Sequence, residues 1–410
     1  MARSAPRYPI GPLQPNEVTD FVRTAMRTFG HTLDDNAVAH LIELELADPS
    51  LSLVARDGGR IVGTTTVLEY QMTLPGAVAV DCAGVTTVTV LPTHRRRGVL
   101  TSLMRRQLDY LHADGRTWAA LYASESTIYG RFGYGPATRS LVAHIDRPWT
   151  TMRAPVTPAD VELLIPDVAL EHVPPIYNAV AREVPGMMAL PDPMWRHLLM
   201  WDPAGERDGS SERFIAAIGD RAYATYRIKG GWDETGPDAT LQVEQCMATD
   251  VEAHRQLWAF LFGIDLVQHV QIRRLPVDTP LPWWLAEDRR LHRTLGDPLH
   301  VRLIDVGAAL SQRATTGDAG VVLDVVDPFC PWNTRRWALE GDGTRLCCTP
   351  SDAAADLALD VGDLASLSLG GHAPTELGGA GVIDERTPGA LLRLGALLAS
   401  DRAPFNAFTF

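Results

Sequence analysis

At 410 residues the chain is too long for one ordinary hydrophobic core, so two or three domains are expected. Its 46% hydrophobic and 21% charged residues are typical of a soluble globular protein, and no apolar run is long enough to span a membrane. A net charge of −13 argues against nucleic acid as a partner, because phosphate binding needs a basic face. The same charge suits a cationic substrate, and it serves solubility equally well. The five cysteines, Cys82, Cys246, Cys330, Cys347 and Cys348, lack metal-ligand spacing, so no metal site is expected. Their odd count and the absence of a CxxC pair fit a reducing cytosol. The N-terminus lacks the charged-then-apolar pattern of a secretory signal, and a cytoplasmic location is expected.

Residues 16–27 and 34–47 carry the apolar spacing of helices, with Asp34 or Asp35 as a cap of the second. Residues 51–56 and 60–70 read as strands around the turn Asp57-Gly58-Gly59, and 76–90 supplies further strand. The β-branched run Val88-Thr89-Val90 then leads through Leu91-Pro92-Thr93-His94 into Arg95-Arg96-Arg97-Gly98-Val99. Over residues 100–113, Leu100, Leu103, Met104, Leu108 and Leu111 share one helix face. A strand, a basic glycine-containing turn and a helix N-terminus make an anion site: successive N–H groups and the helix dipole point at the ligand. Residues 119–122 read as a strand, 127–132 as a short helix, and 137–145 as the strand that closes this first sheet. Pro148, Pro155 and Pro158 mark a boundary.

The next part repeats the plan. Residues 213–227 give two strands around Gly219-Asp220, 240–248 a strand and 252–262 a helix. Between that strand and helix the chain reads Thr249-Asp250-Val251-Glu252, with no glycine to admit a phosphate and two acids where an anion would sit. Trp283-Trp284, behind Pro280 and Pro282, is expected to pack between domains. A third part begins near Leu299 with a strand over 301–306 and a short helix over 307–310. A strand over 320–326, a hairpin across Gly341-Asp342, a strand over 356–360 and helices over 361–368 and 391–398 follow. Adjacent Cys347-Cys348 lies in the hairpin and reads as structural.

The segment from Val88 to Gly135 resembles the GNAT superfamily of acyl-CoA-dependent N-acyltransferases, in which the matching turn holds the pyrophosphate of coenzyme A. The run Pro92-Thr93-His94-Arg95-Arg96-Arg97-Gly98, with Ala123-Ser124-Glu125 and Ile128-Tyr129-Gly130-Arg131-Phe132-Gly133-Tyr134-Gly135, narrows the resemblance. It is similar to the enhanced intracellular survival family of aminoglycoside N-acetyltransferases. The superfamily usually has Gly or Ala where Leu100 stands, whereas the narrower family accepts a bulky residue. The resemblance implies an α/β fold with mixed α+β sheets: two tandem GNAT-like domains followed by a sterol-carrier-protein-like domain. Domain bounds of 1–150, 151–298 and 299–410 are expected, the second without a cofactor site and the third delivering the C-terminus. A homo-hexamer built as a trimer of dimers is implied as well.

For the site, the resemblance implies acetyl-CoA as co-substrate. Val88, Thr89 and Val90 would offer strand-edge groups to the pantetheine. Arg95, Arg96, Arg97, Gly98, Val99, Leu100 and Thr101 would surround the pyrophosphate through N–H groups and guanidinium. Ser124 and Glu125 would lie beside the far end of the pantetheine. Tyr129 matches the family's general acid: a phenol of pKa about 10 can donate to a departing thiolate. Phe410 would contribute its terminal carboxylate as proton acceptor from the attacking amine, directly or through water. Burial of Phe405, Phe408 and Phe410 would raise the basicity of that group. Tyr122 and Tyr134 read as structural. The substrate would be a polyamine in an acidic and aromatic cavity, with Phe29, Asp34, Asp35, Val85 and Trp201 as candidate walls. Some relatives carry an acid where Thr409 stands. Acetylation of protein lysine or a small polyamine is the alternative chemistry, and a lipid- or ligand-binding role for the third domain the alternative class.

Overall fold

Two long antiparallel strands form the centre of the first sheet, because their β-branched and small residues are buried under helices, Ile61 under one set and its neighbour Val62 under another. The computed structural model describes residues 8–410 apart from 47, 235 and 297. The first sheet begins with β1 (Ile10–Pro12), followed by helices α1 (Val18–Thr28) and α2 (Asp35–Glu45). Ala47, the expected end of α2, lies outside the described residues. Next come β2 (Leu53–Asp57), β3 (Arg60–Leu74) and β4 (Val78–Val90), then α3 (Val99–Ala113), β5 (Trp118–Tyr122), α4 (Ser126–Tyr129) and β6 (Gly135–Pro136).

The apolar stripe of α1 and α2 (Phe21, Val22, Val38) packs on Val54 and Ile61 of β2 and β3. Met104, Leu108 and Leu111 of α3 pack on Val67, Ala83, Val85, Ala119 and Leu121. Each of the buried Val, Leu, Ile, Phe and Met side chains among these stabilises the fold by about 1.5–3 kcal/mol. The N-cap of α2 is Asp34, whose carboxylate accepts the Ala37 N–H at 2.8 Å, while Asp35 pairs with Arg23 at 2.5 Å.

The sheet runs β1-β2-β3-β4-β5, then the strand Leu299–Leu303, then β6. All neighbours are antiparallel except β4 and β5. Here the sequence expectation fails. The strand expected over 137–145 to close this sheet is Ser140–Asp146, and it lies in a different sheet. Its place beside β5 is taken by Leu299–Leu303, more than 150 residues away in sequence. Both segments contain apolar residues alternating with polar ones, so local pattern cannot tell which sheet each joins.

Contacts divide the chain into two compact units. The first holds the chain up to Ala137, Leu299–Ala399 and Phe410; the second holds Thr138–Pro298 and Ser400–Thr409. The second unit's sheet runs His292–Gly296, Ser140–Asp146, Val267–Pro276, Ala239–Ala248, Ala222–Lys229, Phe214–Ile218 and Glu162–Leu163. The helix Val251–Phe262 covers it through Leu257, Trp258 and Leu261. Of the tryptophan pair, Trp284 packs on this core and meets His254 edge-on at 5.2 Å. Trp283 is 74% exposed, so it does not make the packing expected of it.

A five-stranded sheet in the first unit comprises Leu346–Pro350, Arg335–Asp342, Asp318–Val326, Leu357–Asp360 and Asp384–Glu385. The helices Val361–Leu367 and Ala390–Leu398 belong to the same region. Within the hairpin Cys348 is buried and Cys347 exposed, as strand alternation requires. No helix among the described residues is long and apolar enough to cross a membrane.

Arg302, on the strand Leu299–Leu303, is fully buried and pairs with buried Asp327 at 2.5 Å. Asp327 is satisfied further by the Cys330 N–H at 2.8 Å and by Asn333 Nδ2 at 2.9 Å. Removing one member of such a pair strands a buried charge. Arg302→Ala is therefore expected to lower stability by about 3–5 kcal/mol, read as a shift of the urea midpoint at unchanged slope.

Candidate active site

The site starts where two parallel strands part. β4 and β5 are paired only from Cys82–Trp118 to Gly84–Ala120. Beyond that β4 continues to Val90 against β3 alone, leaving one edge of Val88, Thr89 and Val90 available to an extended ligand. The bend has a local cause. Thr87 is held at φ +48, and the β3–β4 register shifts between Thr64 and Thr66. Thr64 Oγ1 donates to the Thr87 carbonyl at 2.7 Å and lies 2.6 Å from Thr89 Oγ1. A β-branched residue in the left-handed region costs about 1–3 kcal/mol and persists only where its surroundings enforce it.

The turn after β4 positions the basic run. Arg95 Nε donates to the Val90 carbonyl at 3.4 Å, and Arg97 Nη1 to the Tyr8 hydroxyl at 3.0 Å. His94 lies 3.1 Å from Asp57 and stacks edge-on against Tyr8. Arg95, Arg96 and Arg97 are all exposed. Gly98 then takes φ +82 at the N-cap of α3, with no side chain capping that end. The N–H groups of Val99, Leu100 and Thr101 thus project from a 15-residue helix with no intrahelical acceptor. Such an end accepts an anion. In the second unit, by contrast, the Asp250 carboxylate accepts the Ala253 N–H at 2.8 Å and caps the helix itself.

Tyr129 closes α4, five residues beyond exposed Ser124. It is 5% exposed, shares a core cluster with Ala83, Val85 and Leu121, and meets Tyr134 edge-on at 6.0 Å. Burial pushes its phenol up to about 12, so it stays protonated at neutral pH. The loop behind it is held from beneath. Gly133 sits at φ +80, and Arg302 Nη1 lies 3.5 Å from its carbonyl. Any Cβ at Gly133 would come within 2.3 Å of that nitrogen. Phe132 packs on Phe329 at 4.9 Å, and Arg105 lies 3.6 Å over the same Phe329 ring. The Tyr134 hydroxyl is buried without a partner among the described residues.

The ring of Phe410 lies 5.0 Å from that of Tyr70 and 5.7 Å from that of Tyr122. A Cβ on Gly84 would meet both Tyr70 and Phe410. The last residue therefore packs beside the point where β4 and β5 separate. Val85, one of the candidate walls, is next to it in the chain and buried with Tyr129. Asp34 and Asp35 are engaged as cap and ion pair, Phe29 is 45% exposed after α1, and Trp201 belongs to the second unit.

Glu45 and Tyr70 were not singled out by the sequence. Glu45 is half-buried as a residue, but its carboxyl end is enclosed, and burial raises its pKa from 4.5 to about 7. Burial also pushes the Tyr70 phenol up, and Glu45 adds to that shift. A signal existed: Val38, Leu41, Ile42 and Glu45 fall on one helical face, so an acid stands in an apolar stripe. Among the described residues no cluster of three His, Cys, Asp or Glu side chains is placed to hold a metal ion.

This combination of parted parallel strands, uncapped helix N-terminus and buried tyrosine defines an acyltransferase of the GNAT class. Residues 9–137 and 186–303 each match the acetyltransferase (GNAT) domain family, and residues 306–407 match the sterol carrier protein domain family. The chain is 35% identical to the N-acetyltransferase Eis of Mycobacterium tuberculosis over 378 residues, covering 88% of this chain and 89% of that one. It is 39% identical to an uncharacterized N-acetyltransferase of Streptomyces avermitilis, covering 93% and 94%. The crystal structure of Eis1 from Mycobacterium abscessus superposes with a TM-score of 0.87 at 31% identity, covering 98% of this chain and all of that one. The chain belongs to the Eis family of GNAT acetyltransferases, the enhanced intracellular survival family that its motifs resemble. It is an N-acetyltransferase with two GNAT domains followed by a sterol-carrier-like domain.

Folding must keep Glu45 protonated above its ordinary range, so the native state binds a proton that the unfolded chain releases. The stability this contributes is complete below pH 4.5 and is lost as pH rises to about 7. Glu45→Gln abolishes the titration, so its melting temperature relative to wild type is expected to climb between pH 5 and pH 8. Calorimetric scans across that range check it.

Proposed function

We propose that the chain transfers the acetyl group of acetyl-CoA to an amine of a polycationic substrate such as an aminoglycoside, by direct attack within a ternary complex. One observation carries the proposal. The open edge of β4, the uncapped N-terminus behind Gly98, buried Tyr129 and the last residue, Phe410, all belong to the same unit. GNAT acetyltransferases use acetyl-CoA, which supplies the acetyl group as a thioester. The residues fit its chemistry: Val99, Leu100 and Thr101 offer N–H groups to a pyrophosphate, with Arg95, Arg96 and Arg97 around it. Val88, Thr89 and Val90 offer strand-edge groups to the amide-bearing arm, and Ser124 and Glu125 flank its far end.

In this reading the terminal carboxylate of Phe410 takes the proton of the attacking ammonium, directly or through one water. The Tyr129 hydroxyl gives its proton to the departing sulfur. A phenol raised by burial keeps that proton until the thiolate forms. In the second unit Asp250 caps the corresponding helix, which supports a single cofactor site per chain. Family membership supports a homo-hexamer, a trimer of dimers, as the working assembly, and the net charge of −13 supports a cationic substrate.

The test is thiol release from acetyl-CoA against a panel of aminoglycosides, small polyamines and lysine peptides. Turnover with aminoglycosides is expected, and turnover with lysine peptides alone would replace the substrate class. Tyr129→Phe should lower kcat by about 10²-fold with acetyl-CoA affinity unchanged, because the hydroxyl acts only as sulfur leaves. Extending the chain beyond Phe410 converts its carboxylate to a neutral amide. Acetyl transfer should then collapse while titration calorimetry still shows acetyl-CoA binding. Full activity in the extended protein would remove the carboxylate from the mechanism.

A further inference from the structure

We propose that the second unit's parted strand pair is a holder for the C-terminal tail, with Asp278, Arg274 and Asn406 as its positioning residues. The inference rests on the reading of the terminal carboxylate as proton acceptor. It starts from a repeated geometry. In the second unit too, one parallel pair is joined only over part of its length, from Ala239–Val267 to Val243–Ile272. The two strands then run on separately to Ala248 and Pro276. A cavity of about 420 Å³ opens there, between residues 244–251 on one side and 274–280 on the other. Asp250 caps the helix at its mouth, so a carboxylate stands where an anion would sit.

The tail takes up part of that cleft. Arg402, Phe405 and Ala407 form part of the cavity wall. A second cavity of about 680 Å³ has Ala407, Phe408 and Thr409 in its lining. Between the two, the tail is buried although it has no regular secondary structure: Phe405 is 6% exposed, Asn406 1%, Ala407 7% and Phe408 4%. Irregular backbone is buried only where its polar groups find partners. Here they do. The Ala403 N–H donates to Asp278 at 3.0 Å, and the Arg402 guanidinium lies 3.6 Å from the same carboxylate oxygen. The Phe405 N–H donates to the Pro185 carbonyl at 2.8 Å, and Arg274 Nη1 donates to the Asn406 carbonyl at 3.3 Å. Asn406 Nδ2 donates to the Phe408 carbonyl at 3.2 Å, which sets the direction in which the last two residues leave.

The consequence for the reaction is a limit on travel. Only Thr409 and Phe410 lie beyond the last of these anchors, so the terminal carboxylate can range no more than about 7 Å from Phe408. Proton transfer needs hydrogen-bond reach, and a carboxylate on an unanchored tail would spend most of its time elsewhere. On this account the second GNAT domain serves the reaction through the tail, by means of the cleft in which it binds no cofactor.

The experiment measures tail release and turnover separately. Carboxypeptidase digestion of the full chain, followed by mass spectrometry, reads the rate at which Phe410 is removed. Asp278→Ala is expected to speed removal about ten-fold, the loss of one charge-assisted hydrogen bond. It should lower kcat by a similar factor, with KM for acetyl-CoA and the melting temperature unchanged. Asp278→Asn, which keeps an acceptor for the Ala403 N–H, should restore most of both. Added formate should recover part of the turnover of Asp278→Ala by replacing the displaced carboxylate. Should Asp278→Ala fail to fold, Asn406→Ala tests the same point from within the tail. Unchanged digestion and unchanged kcat in the folded variants would overturn the holder, even where chain extension still abolishes transfer. Faster digestion at full kcat would leave the holder standing and remove the carboxylate from catalysis.

Discussion

Parallel pairing between β4 and β5 stops after three residue pairs, and the rest of the site depends on that interruption. While the strands stay together there is no room between them for anything but each other. Once Thr87 is forced to φ +48, the remaining stretch of β4 presents an unpaired edge. That edge leads directly to the turn where Gly98, at φ +82, opens the helix N-terminus without a cap. Strain in one residue and freedom in another thus set the two ends of the unpaired stretch from Val88 to Gly98.

Tyr129 is placed by a layer beneath it that comes from distant sequence. Gly133 carries no side chain because the Arg302 guanidinium approaches the space a Cβ would fill. Arg302 in turn is fixed by Asp327, which Asn333 and Cys330 hold by hydrogen bonds, all three fully buried. A buried ion pair contributes little net stability compared with apolar packing, but it tolerates only one arrangement. The sterol-carrier-like part of the chain acts here as a scaffold for the loop that bears the tyrosine, through Phe329 against Phe132 as well as through the ion pair.

The two GNAT domains share a plan but differ at the same joint. Where the first has Gly98 and no side-chain cap, the second has Asp250 folded back on its own helix. A self-capped helix holds one of its first-turn N–H groups in a permanent hydrogen bond, and the carboxylate that does so stands where an anion would sit. The parted strands persist in both, because the sheet geometry is set by backbone and core packing rather than by the ligand.

By itself the sequence determined the local chemistry. The turn from Leu91 to Gly98, the apolar face of α3 and a cap at Asp34 or Asp35 follow from residues near one another in the chain. The Gly133-bearing loop after Tyr129 and the acids at Asp250 and Glu252 were legible for the same reason, as was the family. Only the tertiary structure decided which strand completes which sheet. Ser140–Asp146 and Leu299–Leu303 have interchangeable patterns, and the choice rests on partners more than a hundred residues away. Helix Pro166–Ala181, with Pro174 and Pro175 inside it, escaped the sequence reading because tertiary burial of Val173, Ile176 and Tyr177 overrides the local penalty of proline. Nor could spacing show that Tyr70 and Phe410 meet at Gly84. Period and propensity act over a few residues, whereas the shape of a site is fixed by packing between segments that the chain brings together only when folded.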